Sequence, residues 1–399
     1  MRLYDTAQRA VVPFEPGSPG GAPVSIYVCG ITPYDSTHLG HAATYLTYDL
    51  LIRRLEDMGH TVRYVRNITD VDDSILPKAR ELGVHYLDLA AQEVARFQGD
   101  MEALEMRAPD AEPRATEAID GIVRLVETLL DNGHAYITAG TVYFDISTFP
   151  SFGQLSHYPE ERMVKLARAR GGNPDDPHRR HPLDFILWQP SLADEPSWRA
   201  PFGVGRPGWH IECSAMSMAE HGETVDLHGG GTDLIFPHHE CEIAQSEAVT
   251  GRPFVRHWMH SAMVNYEGEK MSKSLGNLVF VSDLRTKADP RAIRLALMRH
   301  HYRSGFEWFD TDIDEGVAML NRLLAASHEV SGPDAAPFAA RVRAALDDDL
   351  DAPRAIEALA DLADAVLSGG RDPHAPGVLR DLGALVGVRL DRPVDVALG

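Results

Sequence analysis

Residues 25–29 (SIYVC) are a short apolar run that reads as a buried strand, and it gives way to a turn-rich loop from Gly30 to Thr37. A helix is expected from about His38, because Leu51, Leu55 and Met58 recur at i, i+4 and i+7 and form one apolar stripe. After Gly59 the run TVRYVRNIT alternates in the manner of a second strand. Strand, loop, helix and strand within about 45 residues make a βαβ unit. The unit sets the fold class as α/β with a parallel sheet, and it places ligands outside the carboxyl ends of the strands. The chemically unusual residues of the chain lie at that edge.

The remainder is read around this unit. Segments such as LDLAAQEVARF and AIDGIVRLVETLLDNG, within residues 80–134, carry helical periodicity with charged faces, the second ending at Gly133 as a C-terminal cap. They are expected to be a helical insertion. Residues 167–207 are rich in Gly, Pro, Arg and Asp and read as a long irregular connection, of the length that usually serves function or motion. From about 288 onward, ADPRAIRLALMRHHY and RVRAALDDDLDAPRAIEALADLADAVL predict helices, with SGPDAAP and GGRDPHAPG as linkers. At 399 residues two domains are expected: a catalytic core over 1–287, with the inserted region at about 80–207, and a C-terminal helical bundle over 288–399.

With 44% apolar and 24% charged residues the chain can bury a full core, which excludes disorder as its general state. The opening MRLYDTAQRA has no apolar leader region, and no stretch approaches the roughly 18 apolar residues of a membrane helix, so a cytosolic, membrane-free protein is expected. Three widely spaced cysteines, Cys29, Cys213 and Cys241, suit thiol or metal chemistry better than a disulfide framework. A net charge of −21 makes the average surface repel a polyanion, which disfavours a tRNA partner.

Two clusters carry phosphate chemistry. His38, Leu39, Gly40 and His41 stand at the start of the first helix, where free N–H groups and the helix dipole favour anions, and two imidazoles there suit a phosphate in flight. Alone, that four-residue pattern is degenerate. Lys270, Met271, Ser272, Lys273 and Ser274 add two ammonium groups spaced to lie along a triphosphate. Together, in this order and about 230 residues apart, the pair is specific, and the sequence resembles the class I aminoacyl-tRNA synthetases. That resemblance implies a Rossmann-type catalytic core that binds ATP with Mg²⁺, with His38, His41, Lys270 and Lys273 stabilising the charge of adenylation.

A third cluster holds Cys29, Cys213 in GWHIECSAM, and His238 and Glu242 in HGGGTDLIFPHHECE. Thiolates and imidazole are the ligands Zn²⁺ prefers, although a lone buried cysteine is more often a small hydrophobe. These stretches resemble the cysteinyl-tRNA synthetases over about residues 20–360. The resemblance implies one zinc ion held by Cys29, Cys213 and His238, with Glu242 as a weaker fourth ligand or a supporting group, and L-cysteine bound through its thiolate. It also implies that Gly30, Ile31, Thr32, Thr44, Asn67, Ile68, Thr69, Trp209, Gly231, Thr232, Asp233 and Val264 line the cysteinyl-adenylate pocket together with Cys29 and His238. Trp209 suits the apolar wall of a small thiol pocket or plain core, and Asp233 suits either binding an ammonium or taking a proton from an attacking amine.

Within that superfamily the opening CGITPYDSTHLGHAATY (29–45) and RGGNP (170–174) are closer to the mycothiol ligases, which join cysteine to the amine of glucosaminyl-inositol. Ala169 and Asn173 depart from the ERGGDP usual in that family. Only 125 residues follow Ser274, and DDDLDAPRA (347–355) resembles the synthetases' helical bundle, which leaves nothing for an anticodon module. Residues 300–399 hold nine Arg, no Lys and eighteen Asp and Glu, a poor surface for an RNA stem. The expectation is a monomeric ligase of mycothiol biosynthesis acting on cysteine, ATP and glucosaminyl-inositol, with Arg168, Arg170, Gly171 and Asn173 in the acceptor's wall. A minimal cysteinyl-tRNA synthetase and a paralogous ligase with another amine acceptor are the alternatives.

Overall fold

A computed structural model describes residues 1–16, 21–34, 37–271, 276–392 and 394, with Lys270 described in its main chain alone. Its centre is a four-stranded parallel sheet in the order Trp258–Ser261, Leu227–Gly231, Val24–Ile31, Val62–Ile68. The expected strand–helix–strand unit is present as Val24–Ile31, the helix Leu39–Asp57 and Val62–Ile68. Further helices, Trp209–His221 and Glu240–Thr250, precede and follow the Leu227–Gly231 strand. Parallel strands cannot turn back tightly on themselves, so the intervening helices bring each carboxyl end to the same edge. Cys29, Thr69, Gly231 and Ser261 all gather there.

One strand is irregular where it matters. The register between Val24–Ile31 and Val62–Ile68 shifts between Val28 and Ile31, spanning Cys29 and Gly30. A bulge of this kind re-aims a side chain at a strand end. Gly30 is required: a Cβ there would stand 1.5 Å from the carbonyl oxygen of Asn67, whose Oδ1 in turn accepts the Gly30 N–H at 2.8 Å.

Within residues 80–134 the helices Tyr86–Ala103 and Ile119–Asp131 form where periodicity placed them, and Gly133 closes the second with φ +76°. Residues 167–207 differ from the expected irregular connection. They contribute Phe185–Gln189, Trp198–Ala200 and Gly203–Pro207 to a five-stranded antiparallel sheet with Ala135–Thr138 and Thr141–Phe144. The β-forming run FILWQ is only five residues long, and its ladder partner Thr141–Phe144 lies more than forty residues upstream, so local composition hides it.

The C-terminal helices Pro290–Met298, Thr311–Ser327, Ala336–Asp347, Ala352–Leu367 and Ala375–Leu385 pack into the same apolar core as the first helix. Leu46, Leu50 and Leu55 of that helix share it with Ile293, Leu320 and Leu359. A polar tie crosses the same junction. Arg294, fully buried, pairs with the Asp49 carboxylate and donates to the carbonyls of Val386 at 2.8 Å and Leu104 at 3.1 Å. Removing one partner of a buried pair leaves the other charge without compensation. Arg294→Leu is therefore expected to cost about 3–5 kcal/mol of unfolding free energy. Urea denaturation checks this, a loss below about 1 kcal/mol showing that Arg53 and the Arg107 N–H suffice for Asp49.

Candidate active site

The helix Leu39–Asp57 begins with His38 as its N-cap, whose Nδ1 accepts the Gly40 N–H at 3.1 Å. A Cβ on Gly40 would meet that ring at 2.8 Å, so the glycine is what lets the imidazole fold over the helix start. His41 stacks on His38 with ring centroids 3.9 Å apart. The Leu39 N–H donates to the Val279 carbonyl at 2.9 Å, and the Val281 N–H to Thr37 at 3.1 Å. The two-histidine turn is thus tied to the chain just beyond the second lysine cluster. Lys270 sits in the two-residue strand Glu269–Lys270, paired with Asn265. Lys273 lies outside the described residues.

Behind this turn is a buried cluster of soft and polar donors. Cys29 Sγ is 3.9 Å from Cys213 Sγ and 3.6 Å from Glu242 Oε1, and Glu242 Oε1 is 3.1 Å from His238 Nε2. Four ligands at 2.0–2.3 Å around a tetrahedral ion stand about 3.3–3.8 Å apart, so only small adjustments separate these side chains from coordination. Their donor atoms all lie within 4.8 Å of one another.

The same holds for Cys29, His228, His239 and Glu242, a second set that sequence reasoning missed. His239 Nε2 is 3.3 Å from Cys29 Sγ, and His228 Nε2 is 3.0 Å from the other Glu242 oxygen. Outside them, His210 meets His238 through their Nδ1 atoms at 2.9 Å, and His260 meets His239 at 2.7 Å. Each of these histidines stands in an apolar stretch that reads locally as core. The doubled histidine of PHHECE and the tryptophan–histidine alternation of HWMHS were the available signals.

The electrostatics suit a cation. Burial holds His238 and His239 well below the ordinary imidazole range, helped by neighbouring imidazoles, and takes His210 and His260 down to about 3. Each of these shifts favours the neutral ring, which has a lone pair to offer. Burial, Cys213 and Glu242 push the Cys29 thiol well up. The Cys213 thiol is pulled down by its hydrogen bond with Cys29, yet burial and Glu242 leave it above its usual value.

In front of the cluster opens a cleft of about 450 Å³. Gly30, Ile31, Thr32, His41, Trp209 and Asp233 line it, and Trp209 stacks on His238 at 4.2 Å. The cleft continues to Arg170 and Gly171 of the connection, where Arg170 donates to the main-chain carbonyls of Asp233 and Phe236. Arg168 turns instead to Asp175 at the surface, 2.8 Å away, and Asn173 does not line the cleft.

The other expected residues support this wall from behind. Asn67 Nδ2 donates to Thr69 Oγ1 at 3.1 Å, the Thr69 N–H to Ile31, and the Thr232 N–H to Ser261. Thr44 Oγ1 accepts from Ser261 Oγ at 2.9 Å, Ile68 is paired with Ile31, and Val264 is buried beside them. Asp233 bends back over Gly231, where a Cβ would stand 2.6 Å from its Oδ1.

Fold and cleft define a class I tRNA synthetase catalytic core. The model of the tRNA synthetases class I (C) catalytic domain matches residues 17–318. Methionyl-tRNA synthetase of Mycobacterium tuberculosis, solved with methionyl-adenylate, superposes with a TM-score of 0.64 at 18% identity, covering 92% of this chain and 90% of that one. The L-cysteine:1D-myo-inositol 2-amino-2-deoxy-alpha-D-glucopyranoside ligase of Thermobifida fusca is 50% identical, over 98% of this chain and 95% of its own length. That of Mycobacterium marinum is 49% identical over 98% and 96%. The chain belongs to this ligase family within the class I tRNA synthetase (C) group. Among the described residues no helix is long and apolar enough to cross a membrane.

Because both thiols favour the protonated form, a thiolate-seeking cation must displace their protons. Zinc added to metal-free protein in weak buffer should release roughly two protons per ion, and its affinity should fall as pH is lowered. Cys213→Ser should remove about one of those protons and weaken binding, as read by pH-stat titration and a competing chelator.

Proposed function

We propose that this chain activates L-cysteine with Mg·ATP as cysteinyl-adenylate and transfers it to the amine of glucosaminyl-inositol, forming an amide and AMP. The observation that carries the reading is a single cleft in front of a buried thiol–imidazole–carboxylate cluster, lined by Gly30 next to Cys29 and by Trp209 stacked on His238, that passes His41 and reaches Arg170 and Gly171. The names of relatives about half identical over nearly the whole chain support the same substrates.

In this reading the cluster holds zinc through Cys29, Cys213 and His238, with Glu242 as fourth ligand or support. Zinc would supply a Lewis acid that prefers sulfur and so favours a thiolate over the hydroxyl of serine, a distinction an apolar pocket could hardly make. Trp209 closes the apolar side of that thiol pocket. The cysteine carboxylate attacks the α-phosphorus, and the bond to pyrophosphate breaks. His38 and His41, at a helix N-terminus, meet the charge that grows on the phosphates, with Lys270 and Lys273 on the leaving side. The acceptor amine then attacks the adenylate carbonyl and AMP leaves. No covalent enzyme intermediate is needed.

An AMP-release assay with cysteine and ATP, acceptors supplied one at a time, tests the assignment. Amide formation with glucosaminyl-inositol is expected. Charging of tRNA with cysteine at ordinary salt, with no amide formed, would replace the reading by a minimal cysteinyl-tRNA synthetase. Lys273→Ala should depress kcat for adenylation far more than it raises KM for ATP, since its charge meets negative charge that appears on pyrophosphate. An unchanged pyrophosphate-exchange rate in that variant would remove Lys273 from catalysis.

A further inference from the structure

Resting on the amide-forming reading, the buried carboxylate of Asp72 stands in the cleft with no task yet assigned to it. Asp72 follows the Val62–Ile68 strand and lines the cleft beside Thr32. Its Oδ1 accepts the N–H groups of Ser74 and Ile75, at the start of the helix Ile75–Leu82. Among the described residues its Oδ2 accepts one hydrogen bond, from the Thr32 hydroxyl at a long 3.4 Å. A carboxylate 9% exposed with an oxygen so weakly satisfied is poorly placed unless a cationic donor visits it.

The surroundings sharpen that demand. Asp73 beside it also lines the cleft, but its side chain is largely exposed and is held in an ion pair with Arg206. Asp70 is held by the Thr116 N–H and hydroxyl. Near Asp72 lies Glu212, fully buried and with neither oxygen hydrogen-bonded among the described residues; burial, and after it the charge of Asp72, push its carboxyl well above the ordinary range. Burial raises the Asp72 carboxyl above the ordinary range, with Asp73 adding to the rise against the donations of Ser74 and Ile75. Among the other ionisable groups of the cleft, Asp184 is occupied by Tyr136, Ile146 and His181, Arg170 by two carbonyls, and Asp233, less buried than Asp72, bends back over Gly231.

We propose that Asp72 is the acceptor-side carboxylate: its Oδ2 pairs with the incoming amino-sugar as an ammonium and takes the proton that frees the nitrogen lone pair. The freed amine forms the C–N bond at the adenylate carbonyl. The C–O bond to AMP breaks with its electron pair staying on the phosphate, and the second nitrogen proton leaves to phosphate or solvent. Thr32, between Asp72 and the Cys29–Gly30 strand end, places this proton acceptor next to the expected adenylate.

Asp72→Asn separates the half-reactions, because the Asn amide oxygen still accepts from Ser74 and Ile75 and caps the helix start. Single-turnover amide formation with glucosaminyl-inositol should fall at least about 100-fold, the scale of a lost general base. Cysteine-dependent pyrophosphate exchange should fall far less, and trapping of the adenylate by hydroxylamine, a nucleophile already neutral near pH 7, should be largely kept. Asp72→Glu should restore part of the amide rate. Unchanged amide formation in Asp72→Asn would overturn the inference, and so would an equal fall in exchange or hydroxamate, which would assign Asp72 to cysteine or ATP. If the wild-type protein itself forms no amide with glucosaminyl-inositol, it is the substrate reading that fails.

Discussion

The main chain at Gly30 approaches the Asn67 carbonyl more closely than any side chain would allow, and the candidate active site is arranged around that approach. The register shift there lets Cys29 leave the regular pleat and face Cys213, Glu242 and His239 from the end of its strand. Asn67 answers on both sides, accepting from Gly30 and donating to Thr69. Two strand ends are thereby locked in the relation that sets Cys29 in the buried cluster and Gly30, Ile31 and Thr32 in the wall of the cleft.

Glu242 plays the matching role on the other face of the cluster. Its two oxygens divide between His238 and His228, so the same carboxylate belongs to both candidate ligand sets. A fully buried carboxylate survives only where it is hydrogen-bonded or neutralised. Neutral imidazoles satisfy part of that demand, and a cation bound among the thiols would satisfy the rest. The outer histidines, His210 and His260, fix which ring nitrogen of each inner histidine faces inward.

The C-terminal helices do more than extend the chain. They share one apolar core with the first helix of the sheet unit, and Arg294 joins Asp49 to the Val386 and Leu104 carbonyls across that junction. The helix that presents His38 and His41 is therefore braced along its length by the bundle. Precision at its N-terminus depends on residues remote from the chemistry.

What was legible in the sequence was whatever rests on local spacing. The apolar run SIYVC, the stripe through Leu51 and Leu55, and the alternation of TVRYVRNIT each reflect a backbone period, and they correspond to the observed strand, helix and strand. The grouping of Cys29, Cys213, His238 and Glu242 was legible through family resemblance, since residues this far apart carry no local signal of meeting. Tertiary structure alone decided the rest. It paired FILWQ with a strand more than forty residues upstream, because a ladder is closed by partners and not by composition. It added His228 and His239 to the cluster, and it turned Arg168 to the surface while bringing Arg170 to the cleft. Residue types announce which chemistry is available, whereas distance and burial decide which of those groups meet, and both are properties of the packed chain.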